Sequence, residues 1–181
     1  LIEEAERTMT QWFKQEGDDI ILLGSAREDL GGSEYLKVMH AREQGSPPYL
    51  SFDTEQALHD CLLSLIRDGL LQSAHDCSDG GLAVTLAESC ISGPGQLLGA
   101  VVQLSRGRLR KDAMLFGESQ SRVVISSQST HRQTILDQAR RFGVPAEMIG
   151  SVTGARLTVH LREGASAESV IDQPVTALYD Q

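Results

Sequence analysis

The chain has 181 residues, with 40% apolar, 23% charged and only 4% aromatic residues and a formal net charge of −9. That length suffices for one domain with a sizeable core, built here from Leu, Ile, Val and Ala rather than rings. So acidic a surface excludes general nucleic-acid binding, which needs basic surface to displace counterions, but leaves room for an anionic small ligand held by backbone N–H groups.

Residues 1–16 place Ile2, Ala5, Met9, Trp12 and Phe13 at helical spacing, which predicts an amphipathic helix ended by Gly17. The wholly apolar run Ile20 to Leu23 predicts a buried strand. A polar glycine loop, Asp29-Leu30-Gly31-Gly32-Ser33-Glu34-Tyr35, leads into a short helix toward Met39, and Gly45-Ser46-Pro47-Pro48 is a turn. Asp53 or Thr54 is placed to cap a helix over residues 56–66. A strand over 70–74 then enters His75-Asp76-Cys77-Ser78-Asp79-Gly80-Gly81, and a second helix runs from Leu82 to Cys90. Beyond the break at Gly93-Pro94-Gly95, a strand is expected over 98–104, then a basic loop with Arg106, Arg108, Arg110 and Lys111. A helical turn over 113–117, a polar run over 118–122, a buried strand at 123–125 and a helix over 130–142 follow. The last strands fall at 148–150 and 157–161, the second an edge or hairpin strand, with helix or coil after Gly164. Short strands with intervening helices predict an α+β fold, a mixed β-sheet packed with helices.

Cys61, Cys77 and Cys90 are odd in number and lack zinc-ligand spacing, which fits a reducing cytoplasmic setting better than a disulfide scaffold. No apolar run approaches the ~20 residues of a membrane span, and no signal peptide is visible. A chain that opens on Leu1 inside a helix-like stretch is expected to be a piece of a longer protein.

Two runs could carry chemistry. In His75 to Leu82 a strand feeds a loop with two Asp, one Ser and two Gly, and a helix starts immediately. Glycines let the backbone approach a ligand, and the first free helix N–H groups point at an anion. Ser78 or Asp79 could cap that helix, and Asp76 and Asp79 could hold phosphate-bound Mg²⁺. Taken alone, the run reads equally well as a capped strand-to-helix turn without ligand. The second run, Leu115 to Arg122, sets Glu118, Ser119, Gln120, Ser121 and Arg122 in succession, a donor and acceptor set suited to a polyhydroxylated or amide-bearing ligand, with Arg122 able to fork onto phosphate. By itself it is more simply a solvated polar turn. Cys77 has no assignable base, and His75 is a general-base candidate no better than a hydrogen-bonded loop histidine.

In combination, DLGGSEYL, GSPP, SAHDCSDGGLAVTLAESC and LFGESQSRVVIS, in this order, resemble the phosphoribosylformylglycinamidine synthase family, within the aminoimidazole ribonucleotide synthetase-like superfamily. The resemblance runs from about residue 19 to about residue 161. It implies a C-terminal domain like that of aminoimidazole ribonucleotide synthetase (residues 17–181), preceded by the trailing helix of an N-terminal half (1–16). It also implies an ATP-dependent ligase that forms a C–N bond with glutamine as amido donor in purine biosynthesis, a magnesium-using amidotransferase. In that reaction ATP phosphorylates the amide oxygen of formylglycinamide ribonucleotide, and ammonia displaces phosphate to give the amidine. Carried over by motif, Asp76, Ser78, Asp79, Gly80, Gly81, Glu118, Ser119, Gln120 and Arg122 would line a phosphate, nucleotide or substrate cleft, with Asp79 the candidate metal ligand. The partners implied are the preceding N-terminal synthase domains, a glutaminase domain or subunit, ATP and the ribonucleotide. The isolated domain is expected to be inactive and prone to self-association, because the principal ATP and Mg²⁺ ligands fall outside it. The alternatives are a purely structural or docking domain with a degenerate auxiliary nucleotide site, and the C-terminal domain of a related ATP-dependent synthetase.

Overall fold

The structure, a computed structural model, describes residues 8–95, 97–105, 107–164 and 166–179. Its elements are β1 (Asp19–Leu23), α1 (Glu34–His40), α2 (Phe52–Arg67), β2 (Ser73–Asp76), α3 (Gly81–Ile91), β3 (Gly99–Ser105), α4 (Lys111–Phe116), β4 (Val123–Ser127), α5 (Arg132–Arg141), β5 (Ala146–Thr153), β6 (Arg156–Glu163), β7 (Ser166–Pro174) and α6 (Val175–Tyr179). The strands form one sheet in the order β2-β4-β1-β5-β3-β6-β7. Every pairing is antiparallel except β3 with β6, so the sheet is mixed and the expected α+β class holds.

β1 shows why the sheet needs cover on both faces. Successive side chains of a strand point to opposite faces. Ile20 and Leu22 enter one core with α3, α4 and α6, while Ile21 and Leu23 enter a second core with α2 and α5. An uninterrupted apolar run is the signature of such a doubly buried strand. α2 turns Leu58, Cys61 and Leu65 inward at helical spacing. α3 is apolar nearly all round, burying Leu82, Ala83, Leu86 and Cys90, and its buried Thr85 and Ser89 hydroxyls donate to carbonyls four residues back.

Three expectations are corrected. Residues 8–16 form no helix, and residues 1–7 lie outside the described residues. Phe13, only 4% exposed, enters the core of this domain, and its backbone N donates to Ser89 O at 2.8 Å. The helix α2 is capped by Ser51, whose hydroxyl accepts from Thr54 N, rather than by Asp53 or Thr54. The segment after Gly164 is largely strand: β7 pairs with β6 along its whole length and takes the sheet edge, so β6 is a hairpin strand in the interior of the sheet.

The strand ends place the motifs. Leu23, at the end of β1, pairs with Val123, the first residue of β4, and Asp76, at the end of β2, pairs with Val123 on its other side. The loops 24–33, 77–80 and 117–122 therefore leave the sheet at one end.

Candidate functional site

The 117–122 loop is the hub. Glu118 Oε1 accepts two backbone hydrogen bonds, from Glu34 N and from Gly80 N, each 2.9 Å long. Glu118 N donates to Asp29 O at 3.0 Å. Ser119, fully buried, accepts from Arg27 N at 3.0 Å through its hydroxyl. Tyr35 on α1 stacks on Phe116 at 4.9 Å between ring centroids and 8° between planes. The DLGGSEYL, SDGG and LFGESQSR runs are thus one contiguous structure, although up to 92 residues separate the bonded positions of the hub.

Arg122 stands beneath this hub. It is 2% exposed; its Nε donates to Ser119 O at 3.2 Å and its Nη2 to Gly117 O at 2.5 Å. Burial lowers its pKa, opposed by the nearby Cys77 and Asp29. Its Nη1 and Asp29 Oδ2 are both buried without a hydrogen-bond partner among the protein atoms. In this structure Arg122 shapes the loop carbonyls from below. Gln120 is exposed, its amide donating to Glu118 O at 3.2 Å. Ser121 takes a left-handed φ of 58° and donates to Glu55 Oε2, tying the loop to α2.

The 76–81 loop lies directly on this hub, and its two glycines follow from that. Gly80 and Gly81 have φ of 80° and 69°, the left-handed region that side chains resist. A Cβ on Gly80 would run into Val84, and one on Gly81 would sit 2.5 Å from Gly117 O and 2.8 Å from Phe116 C. Gly80 is itself the N-cap of α3, with no side-chain cap of its own, so neither Ser78 nor Asp79 fills that role. Glu118 reaches across the fold to accept from the N–H of that N-cap residue.

Asp76, Ser78 and Asp79 project outward and are exposed. The Ser78 hydroxyl donates to Asp76 Oδ2, and this bond holds the Asp76 carboxyl below its usual range against the opposing effect of partial burial. His75 sits between carboxylates, with Nε2 2.8 Å from Glu88 Oε2 and Nδ1 3.5 Å from Asp76 Oδ1. Cys77 is buried, and burial pushes its thiol pKa up, which makes it a packing residue and a poor nucleophile. Cys61, Cys77 and Cys90 are all free and buried, and Cys90 is pushed up to about 12 by burial.

Beside the hub, an open hollow of about 620 Å³ is lined by Asp29, Gly31, Gln44, Ser46 and Arg110 among others. A smaller one of about 140 Å³ is lined by Arg27, Tyr49, Ser51 and Gln120, with the Arg27 guanidinium 4.8 Å from the Tyr49 ring. Arg27 carried no sequence signal, being one charge in a polar loop without periodicity, and Asp29 stood out only as the first residue of the DLGGSEYL run, with no role attached. Arg106 lies outside the described residues. Among the described residues, no three His, Cys, Asp or Glu side chains come together to hold a metal. The donor set therefore fits no all-protein cage. Mg²⁺, however, is commonly bound by one or two carboxylates with phosphate oxygens and waters, and Asp76 and Asp79 are the exposed carboxylates of this loop that would meet such an ion.

A mixed sheet covered on both faces, with three motif loops locked together at one end, defines an α+β domain of the aminoimidazole ribonucleotide synthetase type. The model of the AIR synthase related protein, C-terminal domain, matches residues 15–162, and the chain belongs to that family. The phosphoribosylformylglycinamidine synthase subunit PurL of Alkaliphilus metalliredigens is 41% identical over 161 residues, 89% of this chain and 21% of that protein. That of Anaeromyxobacter dehalogenans is 41% identical over 180 residues, 95% of this chain and 23% of that protein. The chain thus spans about a fifth of these curated relatives. Among solved structures, Thermotoga maritima PurL complexed with FGAR superposes with a TM-score of 0.79 at 21% identity, over 97% of this chain and 30% of that one. Hydrogenase maturation protein HypE in complex with ATP gives 0.64 at 16% identity, over 94% and 55%. At such identities these structures speak for the fold alone.

Proposed function

We propose that this chain is the C-terminal domain of a synthase unit in a phosphoribosylformylglycinamidine synthase, residues 17–181 forming that domain and 1–16 leading in from an N-terminal half. The whole enzyme would convert formylglycinamide ribonucleotide, glutamine-derived ammonia and ATP to the amidine in purine biosynthesis. The observation that carries this reading is the convergence of the motif loops on Glu118 at one end of the sheet. The 41% identity of full-length PurL subunits across most of this chain supports it.

In this reading the domain supplies one wall of a cleft whose other wall is the N-terminal half. Asp76, Ser78, Asp79 and Gln120 are the exposed polar side chains at that wall, and Asp79 would reach Mg²⁺ already bound to phosphate. The buried Ser119 and Arg122 and the glycines 80 and 81 hold the wall's shape. The enzyme would act in the cytoplasm with a glutaminase domain or subunit. The isolated domain would turn nothing over and would self-associate through surface left uncovered, where Val38, Met39 and Phe52 are exposed.

The test uses the full-length synthase carrying Asp79→Asn with Gln120→Ala, two exposed positions whose replacement leaves the core intact. Affinity for Mg·ATP or for formylglycinamide ribonucleotide should fall by roughly tenfold or more, as expected for lost contacts to charged groups. Unchanged affinity for both, with unchanged turnover, would leave the domain a structural or docking element.

A further inference from the structure

The sequence resemblance assigns Glu118 to ligand contact, whereas the structure gives its carboxylate other work. One oxygen, Oε1, takes both the Glu34 and the Gly80 amides at 2.9 Å, joining positions 84 and 38 residues away. The Gly80 amide is one of the free N–H groups at the α3 N-terminus that an anion would otherwise seek. An N–H already donating to a carboxylate is not free for phosphate, so the side-chain anion stands where a ligand anion would.

The surroundings are built to keep it there. Glu118 N is anchored on Asp29 O at 3.0 Å, and Ser119, next in the chain, is fully buried against Arg27. The buried Arg122 gathers the carbonyls of Gly117 and Ser119 on either side of Glu118. The closeness of Gly81 to Gly117 O and Phe116 leaves the two loops no space to slide. The ligand-facing groups left on the 76–80 loop are the side chains of Asp76, Ser78 and Asp79, and the direction of that loop is set by its bond to Glu118.

We propose that Glu118 is a positioning residue: a built-in anion that fixes the 30–34 and 77–80 loops in the ligand-free protein, in place of contacting the ribonucleotide or ATP. This rests on the synthase reading for the identity of the ligands, though not for the loop geometry. A charged acceptor makes stronger bonds than a neutral one, so glutamine should retain part of the effect and alanine none. Alanine would leave two amide donors without their partner.

The experiment compares full-length synthase with Glu118→Ala and Glu118→Gln variants in two readouts. The first is amide hydrogen exchange of the ligand-free protein over segments 30–35 and 78–82. The second is affinity for Mg·ATP and for formylglycinamide ribonucleotide, each added alone. Exchange in both segments of the alanine variant should rise roughly tenfold, with the rest of the protein unchanged and affinity falling alongside. The glutamine variant should lie between, and it carries the test if the alanine variant fails to fold. Wild-type exchange in both segments with weakened binding would make Glu118 a direct ligand contact and overturn the proposal. Faster exchange with unchanged affinity would overturn it too, leaving a purely structural bond. A wild-type synthase that bound neither ligand would count against the synthase reading, while the exchange result would still decide whether Glu118 fixes the loops.

Discussion

Neighbouring acids can meet opposite fates, as Asp18 and Asp19 show. Both are about 3% exposed. Asp19 is neutralised by a two-pronged contact from Arg132, with Nε to Oδ2 at 2.6 Å and Nη2 to Oδ1 at 2.7 Å, which pins the start of α5 to β1. Asp18 Oδ2 has no hydrogen-bond partner, and burial, with the Asp19 charge behind it, raises the Asp18 pKa above its ordinary 3.8, partly offset by Lys14. A carboxyl whose folded-state pKa lies above its unfolded value costs nothing while both states are protonated. It destabilises the fold as pH rises from the unfolded value through the folded one, and the cost then stays constant. Asp18→Asn should therefore stabilise the domain at pH 7 by on the order of 1 kcal/mol, the scale of a buried unpaired polar group. The gain should vanish in acid below the unfolded pKa. Urea denaturation midpoints measured from pH 3 to pH 7 read this directly, and a gain that persisted unchanged at pH 3 would show that charge is not its cause.

Elements were legible where one physical cause dominated. β1 and α3 show in the sequence because a doubly buried strand demands an unbroken apolar run, Ile20 to Leu23, and a buried helix a mostly apolar one, Leu82 to Cys90. β7 did not show because it is an edge strand: most of its residues are exposed, and its pairing with β6 is made by backbone groups that carry no side-chain signature. Residues 8–16 misled for the converse reason, since the spacing of Met9 and Phe13 is helical while tertiary contacts hold the segment as irregular, bent chain, with Thr10 O accepting from Ala74 N. The site divides in the same way. The two runs that build it stand out by composition, but the roles of Glu118 and Ser119 are set by groups far away in sequence, and Arg122 turns back onto the carbonyls of its own loop. The α2 cap tests how local such signals are. Ser51 accepts from both Thr54 N and Thr54 Oγ1. Ser51→Ala should cost about 1 kcal/mol of unfolding free energy, and Asp53→Ala, which loses only a first-turn charge, roughly half that or less. Equal losses in guanidinium melts would assign the cap to both residues.

At the scale of the molecule, the family match ends at residue 162 while the sheet does not. β7 covers β6 over eight residue pairs, from Arg156↔Pro174 to Glu163↔Ser166, and Val170 and Ile171 lean on the main core. The chain then turns at Val175, whose N donates to Ala155 O at 3.0 Å and whose side chain is 2% exposed. Leu178 packs against the same core that holds α3. The last segment therefore closes both an open strand edge and one corner of the core over the helix that begins at the Gly80-Gly81 loop. Truncation after Glu163 would bare the hydrogen-bonding groups of β6 and uncover the Val175 site, and an unprotected strand edge invites pairing with another chain. The truncated chain should lose on the order of 3 kcal/mol of stability, since fully burying one aliphatic side chain is worth roughly 1.5–3 kcal/mol and the buried Val175 leaves together with the part-buried Val170, Ile171 and Leu178. It should also scatter light at concentrations where the intact chain does not. A truncated chain with an unchanged urea midpoint and unchanged scattering would mean that the sheet is complete at β6, with the final hairpin an addition to a finished fold.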